Sequence, residues 1–137
     1  MSALVLDCSL AMAWCFEDEA SAAADAILER VRDDGALVPA LWVWEVANVL
    51  TLAARRGRIG GGDVAARLAL MTALPIRVDD EGGARAWRET ALLAQAETLT
   101  VYDAAYLELA LRLSADLATL DTELRRAAGR VGVRVLP

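Results

Sequence analysis

The feature that most constrains the fold is an alternation of short, mostly apolar runs with longer helical segments. Five such runs predict β-strands, at residues 4–6, 36–38, 76–78, 117–120 and 133–136. Between them, apolar residues recur at helical spacing, and glycine or proline ends several of the segments. Strands that alternate with helices form crossover units, which build a parallel sheet covered by helices on both faces. The sequence therefore predicts an α/β fold.

The chain is long enough for one hydrophobic core. Its 137 residues are close to the usual size of a single domain, and 57% of them are hydrophobic. No linker or internal repeat is visible, so residues 1–137 are interpreted as one domain. We expect Glu17, Asp18 and Glu19 at the positive end of the first helix and Asp63 as a cap of the third. The helices are expected at about residues 20–31, 41–56, 63–74, 84–96, 100–113 and 122–129.

Several chemistries are excluded by residue types that the chain lacks. It contains no histidine, and all 14 of its basic residues are arginine. Ser-His-Asp catalysis, histidine-bound zinc and lysine Schiff bases are therefore impossible. Cys8 and Cys15 are too few for a disulfide scaffold, and we interpret them as buried thiols in a reducing compartment. The first residues do not resemble a signal peptide, so we expect a soluble, cytoplasmic protein with no membrane association.

Two aspartates directly follow predicted strands: Asp7 comes after the first strand and Asp121 after the fourth. In open parallel sheets, ligands bind beyond the carboxyl ends of the strands, where the strand order reverses. If these two strands are neighbours at that point, both carboxylates face one crevice. The simpler interpretation is that each aspartate caps the helix that follows it. The same holds for Asp103, which completes a capping-box pattern with Thr100.

Glu45 is the acid that a structural role explains least well. One helical turn away lie the apolar residues Leu41, Trp42 and Val49, and Asn48 is the polar exception. No arginine lies within one turn. A carboxylate in apolar surroundings must be protonated, hydrogen-bonded or bound to a cation. We therefore interpret Glu45 as a functional residue.

Taken together, the acids indicate a divalent metal. Carboxylates that share a crevice repel one another, and their pKa values rise unless a cation is present. The chain offers oxygen ligands and has no histidine, a combination that favours Mg²⁺ or Mn²⁺. Such an ion binds phosphate oxygens and activates water. The chemistry indicated is metal-dependent hydrolysis of a phosphodiester.

Four short motifs occur in order along the chain. They are LVLDCS from Leu4, LWVWEVAN from Leu41, YDAAYL from Tyr102 and LATLD from Leu117. In these motifs the chain resembles the PIN-domain ribonucleases, and specifically the VapC-type toxins of type II toxin–antitoxin pairs. The resemblance extends from the first strand to the last, although residues 58–87 carry no motif and match in layout alone.

This resemblance implies both a fold and a site. The fold is a three-layer α/β/α sandwich around a five-stranded parallel sheet in the order 3-2-1-4-5. The site is an acidic quartet around Mg²⁺ or Mn²⁺, in which Glu45 helps to hold the ion or orients the attacking water. The expected metal ligands are Asp7, Asp103 and Asp121. The expected polar neighbours are Ser9, which supports the first acid, together with Asn48 and Thr119.

The resemblance also implies partners. Members of the family cleave RNA, often tRNA or ribosomal RNA, usually form homodimers, and are silenced by a small antitoxin protein that covers the acidic crevice. Arg55, Arg56 and Arg58 form the densest basic cluster and are candidate RNA contacts, although they equally complement the negative end of their helix. The net charge of −6 is opposite in sign to what phosphate binding favours.

Other interpretations remain open at this point. Asp79 and Asp80 follow the third strand, as in phosphoacceptor receiver domains, although such domains need a late lysine that the chain lacks. In a non-catalytic interaction module, all the acids would be helix caps. Asp116 is a further acid close to the proposed site in sequence, either supporting it or solvated. The four tryptophans could stack on bases, but their apolar sequence neighbours favour core packing.

Overall fold

The sheet is parallel and has five strands. The computed structural model describes residues 3–137, and the strands are ordered β3-β2-β1-β4-β5. Neighbouring strands are parallel throughout. The predicted α/β class and strand order 3-2-1-4-5 are therefore confirmed. The strands are β1 (Leu4–Leu6), β2 (Ala36–Pro39), β3 (Ile76–Asp79), β4 (Asp116–Ala118) and β5 (Val135–Leu136).

Helices cover both faces of this sheet. From β1 the chain steps outward to β2 and β3, then returns to β4 and β5 on the other side. Crossover connections are almost always right-handed, so this reversal puts the two sets of helices on opposite faces and produces a three-layer α/β/α sandwich. The helices are α1 (Cys8–Cys15), α2 (Ala22–Asp34), α3 (Leu41–Arg55), α4 (Gly61–Thr72), α5 (Gly82–Arg85), α6 (Ala91–Glu97), α7 (Val101–Leu113) and α8 (Thr122–Arg130). A π-helical segment, Ala86–Thr90, joins α5 to α6.

Helix α1 is an element that the apolar periodicity does not predict. Most of its residues are buried, including Leu10, Ala11, Met12 and Ala13 in succession. A helix that is apolar all round has no polar face, and its pattern then lacks the alternation by which an amphipathic helix is identified. The helix connects β1 to the turn before α2 and belongs to the core.

The starts of two helices differ from the prediction. Residues Glu17–Glu19 form a separate 3₁₀ turn, and α2 begins after Ser21, whose hydroxyl accepts a hydrogen bond from the Ala24 N–H at 3.1 Å. The expectation that these acids occupy the positive end of the helix is wrong, because a serine cap satisfies a free N–H directly. Asp63 is likewise not the cap but the third residue of α4, where its carboxylate accepts the Gly60 N–H at 2.8 Å.

Strand β4 ends two residues earlier than predicted. Its last residue is Ala118, and Asp121 is the N-cap of α8. The Thr119 N–H still bonds to the Leu136 carbonyl at 2.9 Å, but this residue has left the strand. Asp121 therefore lies three residues beyond β4, and the expectation that it directly follows the strand is wrong.

The prediction that all four tryptophans pack in the core is wrong for two of them. Trp42 is buried, whereas Trp44 is 77% exposed and Trp87 is 90% exposed. On α3 the buried face consists of Trp42, Val46, Leu50 and Ala53. Trp44 follows Trp42 by two residues, or about 200° around the helix, so it faces away from the core. Apolar sequence neighbours thus do not decide which way an individual tryptophan points.

The core centres on the middle of the sheet. Val5, Leu6, Leu117 and Ala118 in β1 and β4 are fully buried, and α7 packs against both strands. This arrangement fixes the carboxyl ends of β1 and β4 next to each other. Within residues 3–137, no helix is both long enough and apolar enough to cross a membrane.

Candidate active site

Asp7 lies at the carboxyl end of β1, and its carboxylate is almost completely buried. Its Oδ2 atom accepts hydrogen bonds from the Ser9 hydroxyl at 2.8 Å and from the Thr119 hydroxyl at 2.7 Å. Its backbone N–H bonds to the Ala118 carbonyl at 2.9 Å, which ties this end of β1 to β4. Burial raises the pKa of Asp7, and the two hydroxyl donors only partly offset this effect.

The same two hydroxyls also hold the segment that leads to α8. The Thr119 hydroxyl accepts the Asp121 N–H at 3.0 Å, and the Ser9 hydroxyl accepts the Leu120 N–H at 2.9 Å. Each hydroxyl therefore donates to Asp7 and accepts from the backbone, which uses both of its hydrogen-bonding capacities. Both predicted neighbours, Ser9 and Thr119, are thus hydrogen-bonded to the Asp7 carboxylate.

Asp121 and Asp103 each lie at the start of a helix. The Asp121 carboxylate accepts the Leu124 N–H at 2.9 Å, so its capping role is real, and the residue is exposed. Asp103 lies in the first turn of α7, where its backbone N–H bonds to the Thr100 hydroxyl at 3.1 Å. Burial raises the pKa of Asp103, and the charges of Asp121 and Asp7 raise it further.

Glu45 is half-buried on α3 and accepts a hydrogen bond from the hydroxyl of Tyr106 on α7. Burial is the main cause that raises the pKa of Glu45; the Tyr106 hydrogen bond opposes it, and the charges of Asp7 and Asp103 add to it. The sequence does not identify Tyr106 as a partner of Glu45. The available signal is its position three residues after Asp103, which puts both side chains on one face of α7.

Four acids from four different parts of the chain thus act on one another. Asp7 and Asp103 raise the pKa of Glu45, and Asp7 and Asp121 raise that of Asp103. None of the ion pairs among residues 3–137 includes any member of this quartet. Repulsion between carboxylates without a neutralising arginine is the electrostatic situation that a bound cation relieves.

The donor atoms of the quartet suit Mg²⁺ or Mn²⁺. They are carboxylate oxygens with hydroxyl oxygens behind them, and such ions prefer oxygen ligands. The quartet is not a compact cage: within the described residues, the three acids whose oxygens lie within 4.8 Å of one another are Asp79, Asp80 and Glu81. Mg²⁺ retains several waters when it is bound by proteins, so not every acid of such a set has to contact the ion directly.

Within residues 3–137, neither Asn48 nor Asp116 makes a side-chain hydrogen bond to an acid of the quartet. Asn48 is exposed on α3. Asp116 is neither solvated nor a support of the site, contrary to both interpretations of the sequence: it is buried at the start of β4 and pairs with Arg30 at 3.3 Å and Arg134 at 3.7 Å. It lies beside Leu4, so about 10 Å of strand separates it from the edge where Asp7 lies.

The three arginines of the basic cluster differ in their surroundings. Arg58 pairs with Asp18 at 2.7 Å and Glu19 at 2.9 Å, and its guanidinium lies 3.7 Å from the centre of the Phe16 ring. Arg55 and Arg56 are exposed at the end of α3. Arg55 lies ten residues beyond Glu45, or about 15 Å along the helix.

Asp79 does not have the surroundings of a phosphoacceptor. It ends β3, an edge strand, whereas the third strand of receiver-type sheets is central. Arg112 binds both of its carboxylate oxygens, at 2.9 and 2.8 Å, and this contact lowers the pKa of Asp79. The receiver-domain interpretation is therefore wrong.

The fold and the acids define the class of this protein: an α/β domain with an oxygen-only acidic centre beyond the carboxyl ends of its central strands. The chain matches the family described as PIN domain over residues 4–130. It therefore belongs to the PIN-domain family, a family of nucleases, and its class of chemistry is hydrolysis. No curated protein matches the chain.

Solved structures share the fold. PAE2754 from Pyrobaculum aerophilum is 22% identical with a TM-score of 0.71, and the alignment covers 98% of this chain and 83% of that one. FitAcB from Neisseria gonorrhoeae is 18% identical with a TM-score of 0.67, and the alignment covers 98% and 96% of the two chains. At these identities the comparison establishes a common backbone architecture over nearly the whole chain.

Proposed function

We propose that this protein is a Mg²⁺- or Mn²⁺-dependent endoribonuclease and the toxin of a toxin–antitoxin pair. The observation that carries the proposal is charge repulsion among four acids that have no paired arginine among residues 3–137. The charges of Asp7 and Asp103 raise the pKa of Glu45, and those of Asp121 and Asp7 raise the pKa of Asp103. Membership of a nuclease family makes a phosphodiester the natural substrate. The similarity of the four sequence motifs to VapC-type toxins supports the assignment to RNA and to a toxin.

Asp7, Asp103 and Asp121 are the residues that hold the divalent ion in this proposal. A bound ion would supply positive charge for the phosphate oxygens and would make its bound water more acidic. Ser9 and Thr119 keep the Asp7 carboxylate in one orientation, because both donate to the same oxygen. Glu45 has a free oxygen with which to orient the attacking water or to help hold the ion. Water would add to phosphorus and lose a proton to solvent, and the bond to the ribose oxygen would break as that oxygen takes a proton from solvent.

The remaining partners follow from the proposed toxin. The substrate is an RNA of the tRNA or ribosomal class, the protein acts in the cytoplasm, and it forms a homodimer that a cognate antitoxin silences. Exposed apolar side chains such as Trp44 and Trp87 are consistent with protein–protein contacts. Arg55 and Arg56 remain candidate RNA contacts, whereas Arg58 is already paired with two acids.

Cleavage of RNA by the purified protein tests this function. We expect cleavage of single-stranded or looped RNA with Mn²⁺ or Mg²⁺, none after chelation by EDTA, and none by Asp7→Asn. Phosphodiesterase activity that persists after full chelation contradicts the proposed dependence on a metal ion. A chain that cleaves no RNA and binds no Mn²⁺ is instead an interaction module whose acids serve as helix caps.

A further inference from the structure

We propose that Tyr106 is a positioning residue for the reaction, which holds Glu45 in its working orientation through the hydroxyl–carboxylate hydrogen bond between α7 and α3. The inference rests on the proposed nuclease function and adds a residue to it. Tyr106 acts through Glu45, because within residues 3–137 its hydroxyl makes no hydrogen bond to any of the other three acids.

Glu45 needs such a partner because no other side-chain hydrogen bond holds it among the described residues. Its helical neighbours Leu41, Trp42 and Val49 are apolar, and the Tyr106 hydroxyl is its side-chain hydrogen-bond donor in residues 3–137. Asp7 and Asp103 both repel its charge. A half-buried glutamate has three rotatable side-chain bonds, so without the hydrogen bond this repulsion favours rotamers that point away from the site.

Tyr106 is suited to this task because its side chain is packed in the protein interior. It is fully buried, and its ring belongs to the hydrophobic core. The hydroxyl is attached to a rigid aromatic ring, and the side chain has only two torsions between backbone and ring. Helix α7 itself packs against β1, β2 and β4. The hydroxyl thus occupies a fixed point relative to the sheet edge where Asp7 lies.

The same helix fixes a second acid of the quartet. Asp103 and Tyr106 are three residues apart on α7, so they share one face of the helix. Helix α7 thus carries Asp103 directly and positions the Glu45 carboxylate through the Tyr106 hydroxyl. The distance between these two carboxylates therefore depends on the geometry of α7. One oxygen of Glu45 is occupied by the hydrogen bond, and the other remains for water or a metal ion.

The chain supplies a matched control for the test. Its two tyrosines lie one turn apart on α7, and Tyr102 is 67% exposed whereas Tyr106 is buried. Tyr106→Phe and Tyr102→Phe each remove one hydroxyl and leave the ring. We expect Tyr106→Phe to lower kcat by about 10- to 100-fold, the usual effect of losing a group that orients a site residue, with KM for RNA changed less than about twofold. Tyr102→Phe should match the wild type in both.

A double-mutant cycle with Glu45→Ala separates positioning from a general structural effect. If Tyr106 acts through Glu45, Tyr106→Phe lowers kcat in the wild-type background but by less than about twofold in the Glu45→Ala background. Mn²⁺ affinity, followed by the paramagnetic resonance of free Mn²⁺, should fall in Tyr106→Phe and not in Tyr102→Phe. Melting temperatures show that each variant is folded.

The outcomes distinguish this inference from the proposed function. An inactive Asp7→Asn together with a Tyr106→Phe of unchanged kcat overturns the role of Tyr106 and leaves the nuclease intact. Equal losses from Tyr106→Phe in both Glu45 backgrounds also overturn it, because the hydroxyl would then act independently of Glu45. An Asp7→Asn variant as active as the wild type contradicts the proposed function itself.

Discussion

Thr119 and Asp7 are 112 residues apart in the sequence, and the Thr119 hydroxyl donates to the Asp7 carboxylate at 2.7 Å inside the protein. The contact exists because β4 lies beside β1, with Leu6 opposite Ala118. Thr119 is fully buried, so the bond forms away from solvent. It joins the two halves of the sheet at the point where the strand order reverses, which is the position of ligand sites in folds of this type.

The first prediction concerns this bond. Thr119→Val keeps the shape of the side chain but leaves the buried Asp7 carboxylate with one donor fewer, so the free energy of unfolding should fall by about 1–3 kcal/mol at neutral pH. Urea denaturation measures the change. Thr51→Val is the control, because the Thr51 hydroxyl is exposed and bonds only to the Ala47 carbonyl of its own helix at 2.7 Å. Equal stability losses in the two variants would show that the Thr119 hydroxyl has no special role.

The second prediction concerns the pH dependence of the metal-free protein. Folding raises the pKa values of Asp7, Glu45 and Asp103 from their ordinary values of 3.8, 4.5 and 3.8. The folded state therefore binds these protons more tightly than the unfolded state, and these groups make the protein less stable at neutral pH. Their destabilising effect decreases as the pH falls from 7 through the raised pKa values. It disappears below the ordinary pKa values.

Asp79 has the opposite effect. Arg112 lowers its pKa, so its contribution to stability is present above 3.8 and is lost as the pH falls through the lowered value. Thermal melts in EDTA should thus show stability rising from neutral to mildly acidic pH and falling at stronger acidity. Asp7→Asn should flatten the rise. A melting temperature that increases steadily from pH 5 to pH 8 is incompatible with destabilising acids at this site.

The extent to which the sequence predicts the structure depends on the kind of interaction. Strand positions and sheet order follow from apolar runs and from the family motifs, because burial of parallel strands leaves a local pattern. Helix α1 leaves none, since it is apolar on every side. Trp44 points to solvent because of its position around α3 relative to the buried face, and its apolar sequence neighbours do not indicate this direction.

Polar contacts between residues far apart in the chain also cannot be predicted from the sequence. The Tyr106 hydroxyl meets Glu45, 61 residues earlier, only because α7 and α3 come together at the sheet edge. Asp116 looks like a member of the acidic site because it is near Asp121 in the sequence. In the fold it is the first residue of β4, at the end of the strand away from Asp7, and there Arg30 and Arg134 pair with it. Sequence proximity does not show which end of a strand a residue occupies.

The third prediction concerns Arg112, whose side chain is 10% exposed. It binds Asp79 at 2.8 Å and Glu108 at 2.9 Å, and the side chains of these acids are 8% and 9% exposed. Arg112→Gln leaves these two charges without a cation, and the free energy of unfolding should fall by about 3–5 kcal/mol. Chemical denaturation provides the measurement. Arg32→Gln, which removes an exposed pair with Glu29, should have little effect.

Catalytic activity separates the Arg112 network from the acidic quartet. Per folded molecule, Arg112→Gln should cleave RNA as well as the wild type, because none of its bonds reaches Asp7, Glu45, Asp103 or Asp121. A folded but inactive variant would instead place Arg112 in the reaction.

Binding of Mn²⁺ at equilibrium tests most directly whether the quartet forms one metal site. The measurement is the decrease in the resonance signal of free Mn²⁺ as protein is added, for the wild type, Asp7→Asn and Asp80→Asn. Asp80 belongs to the compact acidic group at residues 79–81, which is the competing location. We predict that Asp7→Asn weakens binding by at least about tenfold and that Asp80→Asn binds like the wild type. Unchanged binding by Asp7→Asn, or its loss in Asp80→Asn, contradicts a metal site built on the quartet.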